Sequence, residues 1–492
     1  MPPRQKVSTL FSIVLEQVLY DLNDILCGEN VNLKSFREKL RSTLPRDIIK
    51  IMIDKSISYF CKHGNLLDIL DILLDSNCQD LCLFSNNVSF YLSIEECIRL
   101  YKLLQKHNLD QLKGLSLAAR LSPRKELQYL RMANLFLHFS LYQMKNLTSV
   151  TLREICDNMA LSVIGKSAKN LVYIDVTNSQ LVNEEGILAF LNFASMPNDC
   201  GECCLSKIKH FGIAGTDCNE ECVIEILELC QSLESFGGPV PSDLVSILEH
   251  RFPDRLFKFK EMWEEKWVSK LTRQCPFLKS VHIPLKYVKE FNVKLRELHI
   301  NLDFSNNIWP LYAYLRDYGQ EMENMVLLNQ NPPICFGEIL ELCPNLRSFI
   351  GKVTLQDPVY QNHLLLEKLE MTSSSSEITF QILRRLPNLK HLTFTFEEEP
   401  YQETSRCIDT KFLENVLLNG FLRNLEFFRV ATESGLTRES FHSLVNHCPS
   451  LTFIGDLSNF SDLNEVDFED LKEFVFQNNY NLELQMYGSV KI

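Results

Sequence analysis

The sequence predicts an α/β repeat solenoid, with a curved parallel sheet inside and helices outside, preceded by an N-terminal α-helical module. Two observations carry this. The first is a recurring phrase, Cys-Pro-x-Leu, at Cys275-Pro276-Phe277-Leu278, Cys343-Pro344-Asn345-Leu346 and Cys448-Pro449-Ser450-Leu451. Variants stand at Cys230-Gln231-Ser232-Leu233 and Leu386-Pro387-Asn388-Leu389. The second is a change of hydrophobic period across each copy, from helical before it to strand-like after it.

The last copy shows the pattern. Phe441, Leu444, Val445 and Cys448 recur at i, i+3, i+4 and i+7, which is one face of a helix. Pro449 stops that helix, because it lacks an N–H and restricts the residue before it. From Leu451 and Phe453 onward the period is two, as in a strand with one buried face. The same order holds from Phe336 to Ile350, from Val223 to Phe236 and from Phe380 to Phe394.

Strand cores of the form Leu-x-x-Φ-x-Φ, with Φ apolar, follow along the chain. They fall at Leu112-Leu115-Leu117, Leu147-Val150-Leu152, Leu171-Ile174-Val176, Leu205-Ile208, Leu278-Val281-Ile283 and Leu295-Leu298-Ile300. Further ones are Leu346-Phe349, Leu366-Leu369-Met371, Leu389-Leu392-Phe394, Leu425-Phe428-Val430, Leu451-Ile454 and Leu471-Phe474-Phe476. Spacings of 24 residues (Leu147 to Leu171), 20 (Leu346 to Leu366), 23 (Leu366 to Leu389) and 26 (Leu425 to Leu451) separate neighbours. Longer gaps, such as Leu389 to Leu425, are expected to hold loops.

On these residues the chain resembles the leucine-rich repeat proteins, whose units run to roughly 20–29 residues, and specifically the cysteine-containing subclass of F-box and related ubiquitin-ligase receptors. The resemblance covers roughly residues 110–480. Most units lack the Asn or Cys that the subclass places after the strand. An ordinary doubly wound α/β domain would also alternate helix and strand, but has no reason to repeat Cys-Pro-x-Leu. Stacked units bury their apolar strand residues on neighbours, so the solvent-facing strand residues form the expected recognition surface. These are Thr148, Thr151, Tyr173, Asp175, Arg347, Ser348, Lys390, His391, Thr393, Glu426, Arg429, Thr452 and Asp456. No motif among them names a substrate.

The expected domain division is 1–110, helical cap or adaptor-docking module, and 111–492, irregular repeat solenoid. Residues 1–110 show almost no strand signal. Leu10, Ile13, Val14 and Val18 share a helical face, Gly28 and Asn30 mark a turn, and Phe36 to Leu40 makes a short helix. Ser42 or Thr43 is the expected N-cap of the next helix, with Pro45 in its first turn and Ile48, Ile49, Met52 and Ile53 on its apolar face. Leu66 to Leu74 forms another.

Two pieces of this module resemble the adaptor-docking boxes of cullin-RING ubiquitin ligases. Thr9-Leu10-x-x-x-Val14-x-x-x-Val18 is similar to the elongin-binding box, with Val14 where that family prefers Cys, Ser or Ala. Leu44-Pro45-Arg46-Asp47-Ile48-x-x-x-Met52 is similar to the cullin box. The resemblance implies that Leu10, Val14 and Val18 meet an elongin-type adaptor, and that Leu44, Pro45, Ile48 and Met52 approach a cullin. The Leu44-Pro45 segment also resembles the opening of an F-box, which binds a different adaptor. An F-box carries a Trp downstream, and the first Trp here is Trp263. A plain cap sealing the first repeat is the alternative to all three.

Composition excludes several classes. A net charge of −13 argues against nucleic acid as main partner, since phosphate binding needs a basic face. No apolar run approaches the roughly 18–20 residues that span a bilayer. Glu16, Asp21 and Asp24 interrupt the first apolar stretch, against a secretory signal. A cytoplasmic or nuclear location follows, where the 17 cysteines stay free and pack as small hydrophobes. Cys200-Gly201-Glu202-Cys203 has zinc-hook spacing, but Cys204, Cys218 and Cys222 form no second pair, so no metal is expected. No Gly-rich phosphate loop, nucleophile elbow or His-Glu-x-x-His stands in the chain, and no catalytic residue or cofactor is expected.

The expected function is a non-catalytic substrate-recognition subunit of a cullin-RING ligase, holding a protein substrate on the strand face. A repeat scaffold that binds protein without recruiting a ligase is the alternative.

Overall fold

The computed structural model describes residues 15, 17–19, 21–22, 33–60, 66–83, 92–119, 126–197, 203–237, 244–263, 274–290, 294–302, 307–328, 333–354, 362–372, 375–395 and 408–486. The chain is mixed α/β with parallel sheets, and it forms two compact units. One is built on Phe11–Glu264 with Lys270–Leu278, the other on Lys279–Ile492.

In the first unit, helical residues 15, 17–19 and 21–22 precede the helices Leu33–Thr43, Arg46–Phe60 and Leu66–Leu73. Strand then alternates with helix: β1 (Asp80–Cys82), Ile94–His107, β2 (Gly114–Ala118), Glu126–Gln143, β3 (Ser149–Arg153), Asn158–Ser167, β4 (Tyr173–Asp175), Glu184–Ser195, β5 (His210–Gly212), Glu220–Leu229 and β6 (Ser235–Phe236). Helix Leu244–Arg251 and β7 (Glu261–Trp263) follow. β1 to β6 pair in chain order, every pair parallel.

In the second unit the strands are β8 (Ser280–Pro284), β9 (Glu297–Asn301), β10 (Asn324–Leu328), β11 (Ile334–Cys335), β12 (Ser348–Thr354), β13 (Lys368–Thr372), β14 (His391–Thr395), β15 (Phe427–Val430), β16 (Phe453–Gly455) and β17 (Glu483–Leu484). Its α-helices include Trp309–Tyr318, Phe336–Leu342, Ser376–Leu383, Thr410–Leu418, Arg438–His447 and Glu465–Gln477. Pairing again follows chain order and is parallel throughout, with the short β11 added beside the end of β12.

One backbone bond recurs from unit to unit just before the strands. Arg296 N–H donates to the Lys279 carbonyl, Glu323 to Arg296, Arg347 to Glu323, Glu367 to Arg347, Lys390 to Glu367, Glu426 to Lys390 and Thr452 to Glu426, at 2.7–3.0 Å. The apolar residues at either side of this row are buried: Leu346 and Phe349, Leu366 and Leu369, Leu389 and Leu392, Leu425 and Phe428, Leu451 and Ile454. Sequential parallel pairing with helical returns is the arrangement that stacked repeats require.

The Cys-Pro-x-Leu phrase is a helix C-cap. Cys343 (φ −120°, ψ 69°) and Cys448 (φ −106°, ψ 86°) donate their N–H to Ile339 and Leu444, four residues back. Their carbonyls then accept from Leu346 and Leu451. Cys230 does the same without a proline, donating to Ile226 and accepting from Leu233. Proline after the cap disfavours the helical ψ in the residue before it, and both caps have left the helical region. Each of these three cysteines is buried, so a small apolar side chain is what the site accommodates.

The structure differs from expectation in several places. Leu471, Phe474 and Phe476 lie on the helix Glu465–Gln477, not on a strand. Asn464 caps it by accepting from Val466 and Asp467, while the Asp467 carboxylate accepts from Asn464 N–H. Phe468, Leu471 and Val475 turn inward at helical spacing, and Phe476 is 85% exposed. Leu205 falls in a 3-10 turn, Cys204–Lys207, so the strand core begins at Ile208 and Phe211.

β7 and β10 escape a leucine-based pattern because Phe259, Met262, Met322 and Met325 occupy the core positions. β1 lies within the stretch expected to be helical; three residues are too short to show a period. Thr43 does not cap the helix after it. Its hydroxyl donates to the Lys39 carbonyl at 2.7 Å, and the Pro45 carbonyl accepts the first bonds of Arg46–Phe60.

Candidate functional site: the open strand face

Parallel pairing in chain order places equivalent side chains in rows across successive strands. His391, Phe427 and Phe453 are register partners on β14, β15 and β16. Their rings form a row: His391 lies 5.6 Å from Phe427, and Phe427 stacks on Phe453 at 4.4 Å with planes 4° apart. All three are half-buried, while Leu392, Phe428 and Ile454 beside them in sequence are fully inside. Gly455 makes room for the row, since a Cβ there would stand 2.5 Å from Phe453 Cε1.

Two shorter rows repeat the arrangement. Tyr173 stacks on His210 across β4 and β5 at 4.1 Å with planes 2° apart. His282 and His299, partners on β8 and β9, have ring centroids 3.8 Å apart. Burial pushes the His210 imidazole down to about 4. Burial first, and the neighbouring His299 second, push His282 down to about 3. Both rings are therefore neutral near pH 7 and present apolar faces with polar edges.

Charged side chains line the start of the same strands in the second unit. Arg296 pairs with Glu323 at 3.2 Å, and Glu367 lies 4.0 Å from Arg347 and 3.5 Å from Lys390. These exposed pairs contribute little to stability. They give the face alternating charge along one edge.

The candidate strand residues separate into two groups. Arg347 is exposed, and Thr148, Tyr173, Ser348, Lys390, His391, Glu426, Arg429 and Thr452 are half-buried. Thr151, Asp175, Thr393 and Asp456 are buried. Asp175 is held by Arg153, and Asp456 by Arg429 Nε at 2.5 Å. Both carboxylates are thus structural.

Phe427, Phe453, His210, His282 and His299 were absent from the sequence-derived face. Parity counted from Leu451 turns Phe453 inward. The strand begins at Phe453, after a turn, so parity runs from Ile454.

In the N-terminal module, Leu10 and Val14 lie outside the described residues, as does Cys200 of the zinc-like spacing. Val18 is half-buried, between the buried Leu15 and Leu19. Pro45 is exposed, and Leu44 and Ile48 are half-buried. Met52 is 0% exposed and belongs to the interior with Ile49 and Ile53; the next outward apolar residue on that helix is Ile51, 38% exposed. Close by, a cleft of about 630 Å³ is lined by Asp47, Asp54, Asp75, Asp80 and Asp110, with Lys50 3.8 Å from Asp80.

Among the described residues, no group of three or more His, Cys, Asp or Glu side chains could hold a metal ion, and no helix is long and apolar enough to cross a membrane.

No family model matches the chain, and no curated protein matches it. Among solved structures it is similar to a chain of the crystal structure of the Rad7 and Elc1 complex in yeast. That alignment covers 98% of this chain and 93% of the other, at 14% identity and a TM-score of 0.34. A likeness at that level leaves the functional reading to this chain's own residues.

Proposed function

We propose that this chain is a non-catalytic recognition subunit, binding a protein on the open strand face and joined to a cullin-RING ubiquitin ligase through its N-terminal helices. The observation that carries the recognition half is the row His391–Phe427–Phe453. Three large rings stand in register on a surface the core does not need, the kind of amphipathic ground that protein interfaces favour. Such a subunit works by proximity in the cytoplasm or nucleus, holding its bound protein near a ubiquitin-charged enzyme.

The ligase half rests on Leu10, Val14 and Val18 for an elongin-type adaptor and on Leu44, Pro45 and Ile48 for a cullin. Because Met52 is buried, a cullin approaching Arg46–Phe60 would meet Pro45, Ile48 and Ile51 instead. The test is affinity capture by the intact chain and by a Leu10→Ser, Pro45→Ala variant. Elongin and cullin should copurify with the first and not with the second. If the intact chain captures neither, a repeat scaffold without a ligase remains. Capture of the F-box adaptor would place the docking motif in the other class.

A further inference from the structure

The helix Glu126–Gln143 is apolar on two sides. Leu130, Ala133, Leu137 and Leu141 are buried against the first unit. On the other side Tyr129 (63%), Met132 (70%), Leu135 (58%), Phe139 (63%) and Tyr142 (60%) stand in solvent. Single exposed apolar side chains are ordinary, but five large ones on one helix form a contiguous patch, and such patches mark interaction sites. Met159, near the start of the adjacent helix Asn158–Ser167, is 56% exposed as well.

The spacing identifies the shape of the occupant. Met132, Leu135, Phe139 and Tyr142 follow steps of three, four and three, the seam of a two-helix coiled coil. A second helix laid along this seam would seat its own apolar residues between them.

Charge identifies its chemistry. Among the described side chains of Glu126–Gln143 and Asn158–Ser167, the exposed charges are Arg131 and Lys166, with no acid. Lys145 is exposed just beyond the first of these helices, and Lys102 of Ile94–His107 places its Nζ 5.5 Å from the Phe136 ring. Acids on neighbouring elements include the exposed Glu95, at the start of Ile94–His107, and the half-buried Asp157, the N-cap of Asn158–Ser167, whose carboxylate is taken up by Asn134 and His138 at 2.8 Å. A basic rim in a chain of net charge −13 is a local reversal of sign. Two copies meeting here would oppose like rims. Four cations are also few to hold so acidic a chain on an anionic bilayer.

We propose that this helix face docks an amphipathic helix of a separate protein, with apolar residues at heptad spacing and acidic residues flanking them. Its residues are not those of the strand face or of the N-terminal boxes, and the proposal stands whether or not a ligase is recruited.

The test uses the full chain and a fluorescein-labelled 21-residue helical peptide with Leu at the seam and Glu beside it, against the same peptide with Lys for Glu. The acidic peptide should bind at least tenfold more tightly by anisotropy. Leu135→Glu with Phe139→Glu should abolish binding, and Arg131→Glu with Lys102→Glu should reverse the preference. Every substituted position is exposed, and an unchanged thermal melt verifies the fold. Equal binding of both peptides, or binding indifferent to these substitutions, overturns the proposal. So does a dimer of the intact chain that Phe139→Glu returns to monomer, or Phe139-dependent cosedimentation with phosphatidylserine vesicles.

Discussion

Arg153 sets both its Nε and its Nη2 on one carboxylate oxygen of Asp175, at 2.8 and 2.7 Å. The other oxygen accepts from the Thr177 backbone N–H at 3.0 Å and its hydroxyl at 2.5 Å. Asp175 is fully buried, so its charge depends on these partners. Arg153→Met leaves that charge unpaired and should cost about 3 kcal/mol. Adding Asp175→Asn should recover part of the loss, because the stranded charge is gone. Urea denaturation of Arg153→Met, Asp175→Asn and the double variant measures this; purely additive losses would mean that the pair is not coupled.

The stacked pair Phe427–Phe453 should behave as surface and Phe428 as core. Phe453→Ala removes a half-exposed ring and one stacking contact, an expected loss of about 1 kcal/mol. Phe428→Ala opens a cavity beneath the sheet and should lose about 3–5 kcal/mol. If the two losses were equal, the row would be part of the core and would not be free for recognition.

Stability should fall in mild acid. His210 and His282 remain neutral in the folded chain down to about 4 and about 3, while in the unfolded chain they protonate near the ordinary 6.5. The unfolded state therefore binds more protons below that value, and stability rises with pH across the interval. Their contribution is complete above about 6.5 and is lost as pH falls toward 4. His210→Gln with His282→Gln should flatten the denaturation midpoint between pH 6.5 and 4. A steeper profile would show that the histidines gain a partner on protonation.

The cysteines of the Cys-x-x-Leu phrases should be inert. Burial pushes the thiols of Cys343, Cys448, Cys275 and Cys230 up to about 12, whereas Cys82 is exposed. Iodoacetamide at pH 8 should label Cys82 in the native chain and these four only after denaturation, as peptide mapping would show. Cys343→Leu should cost about 1–3 kcal/mol by overpacking the helix end. Rapid native labelling of Cys343 would mean that the cap opens.

Much of the architecture was legible because it is local. A helical face ending at Cys448-Pro449 and a strand restarting near Leu451 follow from period, cap and proline within about fifteen residues. Reading failed where local pattern is ambiguous or substituted. Leu471-Phe474-Phe476 satisfies a strand template by chance, and the capping pair Asn464/Asp467 decides for helix. Met322 and Met325 fill leucine positions without the leucine signal.

Sequence by itself determined that strand and helix alternate, that Cys-Pro-x-Leu divides them, and which leucines lie inside. Tertiary structure decided which of the remaining residues are available. Asp175 and Asp456 look like recognition residues and are buried partners of Arg153 and Arg429. Phe453 looks like core and stands outside, stacked on Phe427. Met52 is turned inward, and the exposed seam Met132–Leu135–Phe139–Tyr142 shares its helix with an equally apolar buried side. Period and caps act within one segment. Exposure depends on strand register and on which helix packs against which, through contacts between residues far apart in the chain.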